Sequence, residues 1–295
     1  MMTKTAPIPN LMDRLKNWWD GADFPIEEAH GHAGPAQLGT KVEDVFPEWE
    51  TPWVRVMQAL WGEGMDHPGG ADNWLRLVTP CALNPAMNLA VIGVGLGGGM
   101  RAIANKFNMW VSGYELNGEL ASAGRMLAQK AGMLKRAPIF DLDPVNFAVK
   151  AGSLDCVFCY DVLGRLTPLE PFLAKIARDL KPYGQLLISE WTSPKDNGTP
   201  QTRPVEEYIS VLGHLGFDIR ICDDESELYF ELIIDGFMDL MNNPSRLAVG
   251  KSCPDIFWKE MENWARRATA IRAKQMGCYR IYAQKTSPMH GHNKL

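Results

Sequence analysis

The chain has 295 residues, of which 46% are hydrophobic and 22% charged, and its formal net charge is −5. This size and composition support one large globular core, and the negative balance argues against a nucleic-acid partner. Apolar runs stay well short of the roughly 20 residues that span a bilayer, and segment 1–10 lacks the apolar core of a signal peptide. We therefore expect a cytoplasmic protein that acts on a small molecule and has no integral membrane segment.

Residues 1–53 are predicted to form an N-terminal extension. Leu11, Leu15 and Trp18 recur at helical spacing between polar residues, which predicts a short amphipathic helix. Four roles stay open for this helix. It could pack on the protein's own surface, cover the active site as a lid, form a homodimer contact, or lie in a membrane interface.

Two further helices are predicted before the first strand, over 53–60 and 71–78, and they are joined by the turn-rich segment 61–70. These elements predict a helical cap. The cap segment is rich in aromatic residues, namely Trp49, Trp53, Trp61 and Trp74. They could face a cationic amine or serve only as packing residues.

A glycine-rich turn follows the apolar run 89–92, which has the pattern of a buried parallel strand. Glycine lets the backbone approach a ligand closely, and the N-terminus of the following helix offers free N–H groups. Gly93, Gly95 and Gly98 fit a dinucleotide fingerprint, while Gly93, Gly95 and Gly97 fit a spacing common in S-adenosylmethionine (SAM) methyltransferases. Glu115 is placed to end the second strand, where it could accept hydrogen bonds from ribose hydroxyls of either cofactor.

Strands and helices alternate along the rest of the chain. The sequence therefore predicts an α/β fold with a doubly wound seven-stranded sheet, an N-terminal helical cap and a helical insertion over 225–273 between the last two strands. The main domain is predicted over 54–285, followed by a polar tail over 286–295. Within it, Pro182 and Gly184 are expected to stop a helix, because proline cannot continue it and glycine permits the reversal.

Four features of the later strands favour SAM over NAD. Asp143 follows the third strand, and the fourth strand begins with the pattern apolar-Asp-apolar-apolar, in which the acid is Asp155. A Lys-Pro-x-Gly turn then precedes a strand that ends at Glu190. Two final strands close the sheet. With these features the chain resembles the class I SAM-dependent methyltransferases over about residues 54–285. An NAD-linked oxidoreductase and a catalytically silent SAM-binding protein are the alternatives.

A narrower resemblance rests on the glutamate turn 61–64, the Pro-Gly-Gly turn 68–70, the glycines of 95–99, the helix start 205–208 and the closing motif 276–279. Together these look like the phosphoethanolamine N-methyltransferase group and related small-molecule methyltransferases. The resemblance implies a set of cofactor-binding residues: Gly93, Gly95 and Gly97 at the methionine and ribose, Glu115 at the ribose, Asp143 at the adenine amino group, Leu116 and Pro144 flanking the adenine, and Tyr160 near the sulfonium.

The chain also departs from that group. Val91 stands where an acid is usual near the start of the glycine motif, so one cofactor contact must come from elsewhere. The position of the group's catalytic histidine falls on Arg165, and that of its catalytic tyrosine falls near Trp49. The phosphate-holding positions fall on Gly198-Thr199-Pro200. Phosphoethanolamine is therefore not the expected acceptor.

His67 is the histidine best placed to act as a general base, and the alternative is a solvent-exposed turn histidine. Arg165 stays protonated, so it suits an anchor for a carboxylate or phosphate better than a base. No histidine forms a metal-ligand spacing with the six cysteines. The resulting hypothesis is methyl transfer from SAM to a small-molecule acceptor such as an amine.

Overall fold

A computed structural model describes residues 47–147, 149–194 and 202–286. These residues belong to one unit of the chain, Phe46–Leu295. The predicted helix around residues 11–19 and the segment Gly198-Thr199-Pro200 lie outside the described residues. The predicted division into an extension over 1–53, a main domain over 54–285 and a tail over 286–295 stays a prediction.

The core of the fold is a seven-stranded sheet in the order β3-β2-β1-β4-β5-β7-β6. Its first five strands run parallel, and β7 runs antiparallel to both of its neighbours. The strands are β1 Leu89–Ile92, β2 Val111–Glu115, β3 Ile139–Asp141, β4 Leu154–Tyr160, β5 Leu180–Thr192, β6 Phe217–Asp224 and β7 Gly277–Lys285. The predicted fold class is confirmed.

Helices cover both faces of this sheet, as parallel strands require. They are α1 Pro52–Trp61, α2 Gly70–Leu77, α3 Gly98–Lys106, α4 Gly118–Lys130, α5 Leu169–Asp179, α6 Val205–His214, α7 Ser226–Met241, α8 Pro244–Ser252 and α9 Pro254–Arg272. Two apolar clusters result, one on each face, with Phe172 and Leu186 in one and Met100 and Phe158 in the other.

Strand order reverses between β1 and β4, which opens a crevice at the carboxyl ends of these strands. All four residues of β1 are buried, because an α/β sheet covers its central strand on both faces. The turn that follows β1 is therefore delivered directly into the crevice.

Helix α5 ends close to the predicted turn, but that turn is built differently from the prediction. The helix stops at Asp179, and the left-handed residue of the following turn is Tyr183, with φ 61°, rather than Gly184. Position 184 requires glycine for a different reason: a Cβ there would lie only 2.9 Å from the carbonyl oxygen of Lys181, which leaves too little room for a side chain.

The helical insertion α7–α9 packs against α1 and completes the cap. Trp61 at the end of α1 lies between Phe237 and Trp264, with ring centroids 6.1 and 4.8 Å apart. Within the described residues, no helix has the length and apolarity needed to cross a bilayer.

Candidate functional site

The glycine turn (residues 93–99) has the backbone of a ligand cradle. Gly93, Gly95 and Gly97 all have left-handed φ values, of 83°, 55° and 75°. A Cβ at Gly97 would lie 2.6 Å from Ile139 Cδ1, and one at Gly93 would overlap the carbonyl oxygen of Tyr160. The turn therefore requires glycine both for its conformation and for close approach.

Glu115 lies beneath this turn at the end of β2 and is only 2% exposed. Its carboxylate accepts hydrogen bonds from Gly95 N at 2.7 Å and Asn117 N at 2.9 Å. Burial raises the pKa of Glu115, and the two backbone N–H groups oppose that rise. Each carboxylate oxygen keeps a further lone pair, so the group can also accept hydrogen bonds from hydroxyls of a ligand.

Three predicted cofactor residues lie beside Glu115. The backbone hydrogen bond from Leu142 N to Glu115 O, at 2.8 Å, brings the segment after β3 next to the end of β2. Leu116 and Pro144 are half-buried there, and Asp143 is exposed. Hydrogen bonds from the Asn146 side chain and from two backbone N–H groups lower the pKa of Asp143, which keeps it an ionised acceptor.

A second group of residues, here called the charged cluster, consists of Asp66, His67, Asp161 and Arg267. His67 Nε2 donates to Asp161 Oδ2 at 2.8 Å, and His67 Nδ1 lies 3.4 Å from Asp66 Oδ2. Arg267 Nη1 lies 3.8 Å from Asp161 Oδ2. The cluster joins the loop between α1 and α2, the end of β4 and helix α9.

The charges of this cluster are coupled. Burial lowers the pKa of His67, but Asp66 and Asp161 outweigh it and raise that pKa to about 9. Burial likewise raises the pKa of Asp161, but the His67 hydrogen bond and the Arg267 charge lower it to about 2. At neutral pH His67 is therefore an imidazolium paired with a carboxylate.

Glu190 fixes the turn that carries Asp161. It is 2% exposed at the end of β5, and it accepts hydrogen bonds from Val162 N at 3.0 Å and Leu163 N at 2.7 Å. Burial and the nearby Asp161 charge raise the pKa of Glu190 to about 8. Asp161 itself has a left-handed φ of 42°, a strained conformation that these two hydrogen bonds stabilise.

Aromatic rings surround the charged cluster. The His67 ring lies 5.0 Å from that of Tyr160 and 5.8 Å from that of Trp264. The Arg267 guanidinium lies 4.7 Å from the Trp264 ring centroid and 5.0 Å from that of Trp191. Its Nη1 is buried and has no hydrogen-bond partner among the described residues. An oriented and incompletely satisfied cation therefore faces this site.

The predicted catalytic residues separate into two places. Arg165 is exposed beside the charged cluster, donates to the Asp161 carbonyl oxygen, and lowers the pKa of Asp161. Trp49 lines a different groove of about 590 Å³, together with Lys130 and Arg246. Trp49 precedes α1 and His67 follows it, and a ten-residue helix is about 15 Å long. The structure therefore does not bring Trp49 and His67 together.

Sequence reasoning missed four residues of the site: Asp66, Asp161, Glu190 as the support of Asp161, and Arg267. Asp161 had a usable signal, since it directly follows a buried strand. Arg267 had none, because the sequence predicts its segment only as a helical insertion. Among the described residues, no group of three histidine, cysteine or acidic side chains could hold a metal ion.

Comparison with known proteins identifies the type of domain. Residues 90–188 match the family model described as a methyltransferase domain. Phosphoethanolamine N-methyltransferase 2 of Caenorhabditis elegans is 28% identical over 139 residues, which are 46% of this chain and 31% of that protein. The Plasmodium falciparum phosphoethanolamine N-methyltransferase is 24% identical over 196 residues, 61% of this chain and 72% of that protein.

The fold is also found in a solved structure, that of Haemonchus contortus phosphoethanolamine N-methyltransferase 2 in complex with SAM. It superposes with a TM-score of 0.73 at 18% identity and covers 81% of this chain and 58% of that chain. The chain spans about a third of the length of the first curated relatives that it matches, 31% and 37%.

Proposed function

The chain carries a class I SAM-dependent methyltransferase domain, and from this premise we propose that the protein transfers the methyl group of SAM to the nitrogen of a small amine. The family and cofactor predicted from the sequence are confirmed, and the matched domain favours SAM over the NAD alternative. The cytoplasmic location, the homodimer contact and the lid stay predictions.

The cofactor residues that we propose lie along one side of the crevice. The glycine turn offers close backbone approach, Glu115 offers a buried carboxylate to ribose hydroxyls, and Asp143 offers an ionised acceptor beside Leu116 and Pro144. SAM supplies a methyl group on a positively charged sulfur. The chain contributes alignment of the acceptor with that methyl group and exclusion of water.

The observation that carries the amine proposal is the His67–Asp161 pair at the carboxyl end of β4. An amine is protonated at neutral pH and must lose a proton before its lone pair can attack. His67 would accept this proton, and Asp161, 2.8 Å away, would orient the ring and stabilise its charge. The aromatic rings of Tyr160 and Trp264 beside His67 suit a cationic group.

The raised pKa of His67 sets a pH dependence. Only the neutral imidazole can accept a proton, and a pKa of about 9 keeps most of it protonated at neutral pH. The methylation rate should therefore rise with pH up to about 9.

The surroundings of Arg267 favour an acceptor that also carries an anionic group. Its buried Nη1 without a hydrogen-bond partner suits an anionic group, and stacking on Trp191 and Trp264 fixes its plane. One half-buried arginine matches a single carboxylate, and the exposed Arg165 beside the charged cluster already donates to the Asp161 carbonyl oxygen. A phosphate dianion needs more cations, which Gly198-Thr199-Pro200 does not offer. We therefore propose an amine that carries a carboxylate and expect phosphoethanolamine to be a poor acceptor.

The test is transfer of label from methyl-labelled SAM to a panel of glycine, sarcosine, dimethylglycine, ethanolamine and phosphoethanolamine. We expect N-methyl product from at least one amine with a carboxylate. His67→Gln should lower kcat about 100-fold, within the usual range for loss of a general base, and should leave the affinity for S-adenosylhomocysteine (SAH) within threefold.

His214→Gln is the matched control, because His214 is exposed at the end of α6 and outside the site. Methylation of an alcohol or thiol but of no amine would contradict the proposed acceptor. SAH binding without transfer to any acceptor of a metabolite extract would favour the silent binding protein.

A further inference from the structure

The carboxylate of Asp66 lies against the glycine turn. A Cβ added at Gly95 would overlap both oxygens of the Asp66 carboxylate. Asp66 is only 7% exposed, although it comes from the cap loop and not from the sheet. A carboxyl group in that position has lost most of its contact with water, so polar or cationic partners stabilise it.

The loop that carries Asp66 is held in place. Gly98 N, the first residue of α3, donates to Gly64 O at 2.9 Å. A Cβ at Gly99 would overlap the Trp74 ring, so α2 and α3 also pack in direct contact behind the loop. The position of Asp66 over the turn is therefore a fixed feature of the fold.

Asp66 has few partners of its own. Within the described part of the chain its ionic contact is His67 Nδ1, at 3.4 Å, which is longer than a hydrogen bond. Glu115 already accepts two backbone N–H groups, and Asp161 already accepts the His67 hydrogen bond. Of these carboxylates, Asp66 has only the longer contact with the His67 imidazolium within the described residues, so it retains lone pairs for a second cationic donor.

The strand below the turn offers no alternative acceptor. Val91 occupies the position where an acid is usual, is fully buried, and packs in the apolar cluster with Met100 and Phe158. A ligand that brings an ammonium group to the glycine turn therefore finds no acid on β1, whereas the Asp66 carboxylate of the cap loop lies against the same turn.

We propose that Asp66 binds the α-ammonium group of the methionine end of SAM, in place of the strand acid that Val91 has displaced. This inference rests on the proposed function, since it requires that SAM binds at the glycine turn. It makes the cap loop part of the cofactor site, so that one loop carries the ammonium acceptor Asp66 and the adjacent base His67.

Calorimetry with two ligands tests the proposal. SAH carries the amino-acid end, and 5′-methylthioadenosine lacks it. Asp66→Asn keeps the shape of the side chain and removes its charge. It should weaken SAH binding at least 10-fold, the scale of a lost charge-assisted hydrogen bond, and should leave 5′-methylthioadenosine binding within twofold. Asp66→Ser provides a second variant should Asp66→Asn unfold at a lower temperature without ligand.

Glu63→Gln is the matched control, because Glu63 lies in the same loop but is exposed and pairs with Lys130. Unchanged SAH affinity in Asp66→Asn, or equal losses for both ligands, would overturn the role of Asp66 while leaving the cofactor assignment intact. Failure of the wild-type chain to bind either ligand would overturn the proposed function itself.

Discussion

The glycine turn and the charged cluster are built differently, although Asp66 of the cluster lies against Gly95 of the turn. The turn offers backbone groups and one buried carboxylate, Glu115, from consecutive strands of the sheet. The charged cluster combines side chains from a cap loop, a strand end and a distant helix, joined by ion pairs of 2.8 to 3.8 Å. We propose that one side of the site, the glycine turn with Glu115 and Asp66, serves the cofactor, and that the other side, His67 with Asp161 and Arg267, serves the acceptor.

The largest expected effect breaks the cofactor side alone. Gly95→Ala imposes a side chain on a left-handed residue and overlaps the Asp66 carboxylate. SAH affinity measured by calorimetry should fall more than 100-fold. Gly213→Ala is the control, because no atom lies within 4 Å of its Cβ position, and it should leave SAH binding unchanged. Wild-type affinity in Gly95→Ala would remove the turn from the site.

The second largest expected effect distinguishes a loss of catalysis from a loss of cofactor binding. Asp161→Asn removes the charge that supports His67, so kcat should fall about 100-fold while SAH affinity stays within threefold. Its pH–rate profile should also shift to lower pH, because loss of a carboxylate lowers the pKa of His67. Equal losses in kcat and SAH affinity would show that the two sides do not act independently.

Glu115→Ala should have the opposite pattern. It removes the buried carboxylate of the cofactor side and should weaken SAH binding on the order of 10-fold or more. The KM of the acceptor should hardly change. Glu170→Ala, in the exposed first turn of α5, is the control. Unchanged affinity would exclude Glu115 from the site.

Arg267→Gln tests whether the positive charge of Arg267 binds a carboxylate of the acceptor. The KM of an acceptor with a carboxylate should rise about 10-fold, because a charge-assisted hydrogen bond is lost. The KM of an amine without a carboxylate, such as ethanolamine, should not rise. Steady-state kinetics on both acceptors gives the comparison, and equal rises would assign Arg267 to packing on Trp191 and Trp264.

The smallest expected effect concerns how the free energy of unfolding changes with pH. The pKa of Glu190 is raised from 4.5 to about 8 on folding, so its contribution to stability is full below pH 4.5 and lost as pH rises through 8. His67, raised from 6.5 to about 9, acts in the same direction. The free energy of unfolding should fall by about 1 kcal/mol per pH unit near pH 7–8 through Glu190. Glu190→Gln should flatten this fall in urea titrations, and an unchanged slope would contradict the raised pKa.

Local sequence pattern is enough to predict the sheet and the residues that stand at the carboxyl ends of its strands. Buried strands, glycines and an acid at a strand end are separated by short intervals, and the carboxyl ends of adjacent parallel strands meet at one edge of the sheet. The sequence therefore predicts that Gly93, Gly95, Glu115 and Asp143 lie at this edge, while their roles toward a cofactor, which the family resemblance implies, stay a prediction. The stop of α5 was predicted at the right place for a partly wrong reason, since Tyr183 takes the left-handed conformation.

The sequence by itself determined the α/β fold, the type of cofactor and the residues that follow consecutive strands, because each depends on short-range patterns of burial and turn chemistry. Only the tertiary structure decided that Asp66 and His67 meet Asp161, that Arg267 joins them from 106 residues further along the chain, and that Trp49 does not. The physical reason is that cap packing sets these contacts. The burial of Trp61 between Phe237 and Trp264 fixes where the loop and α9 lie, and no local pattern encodes that distance.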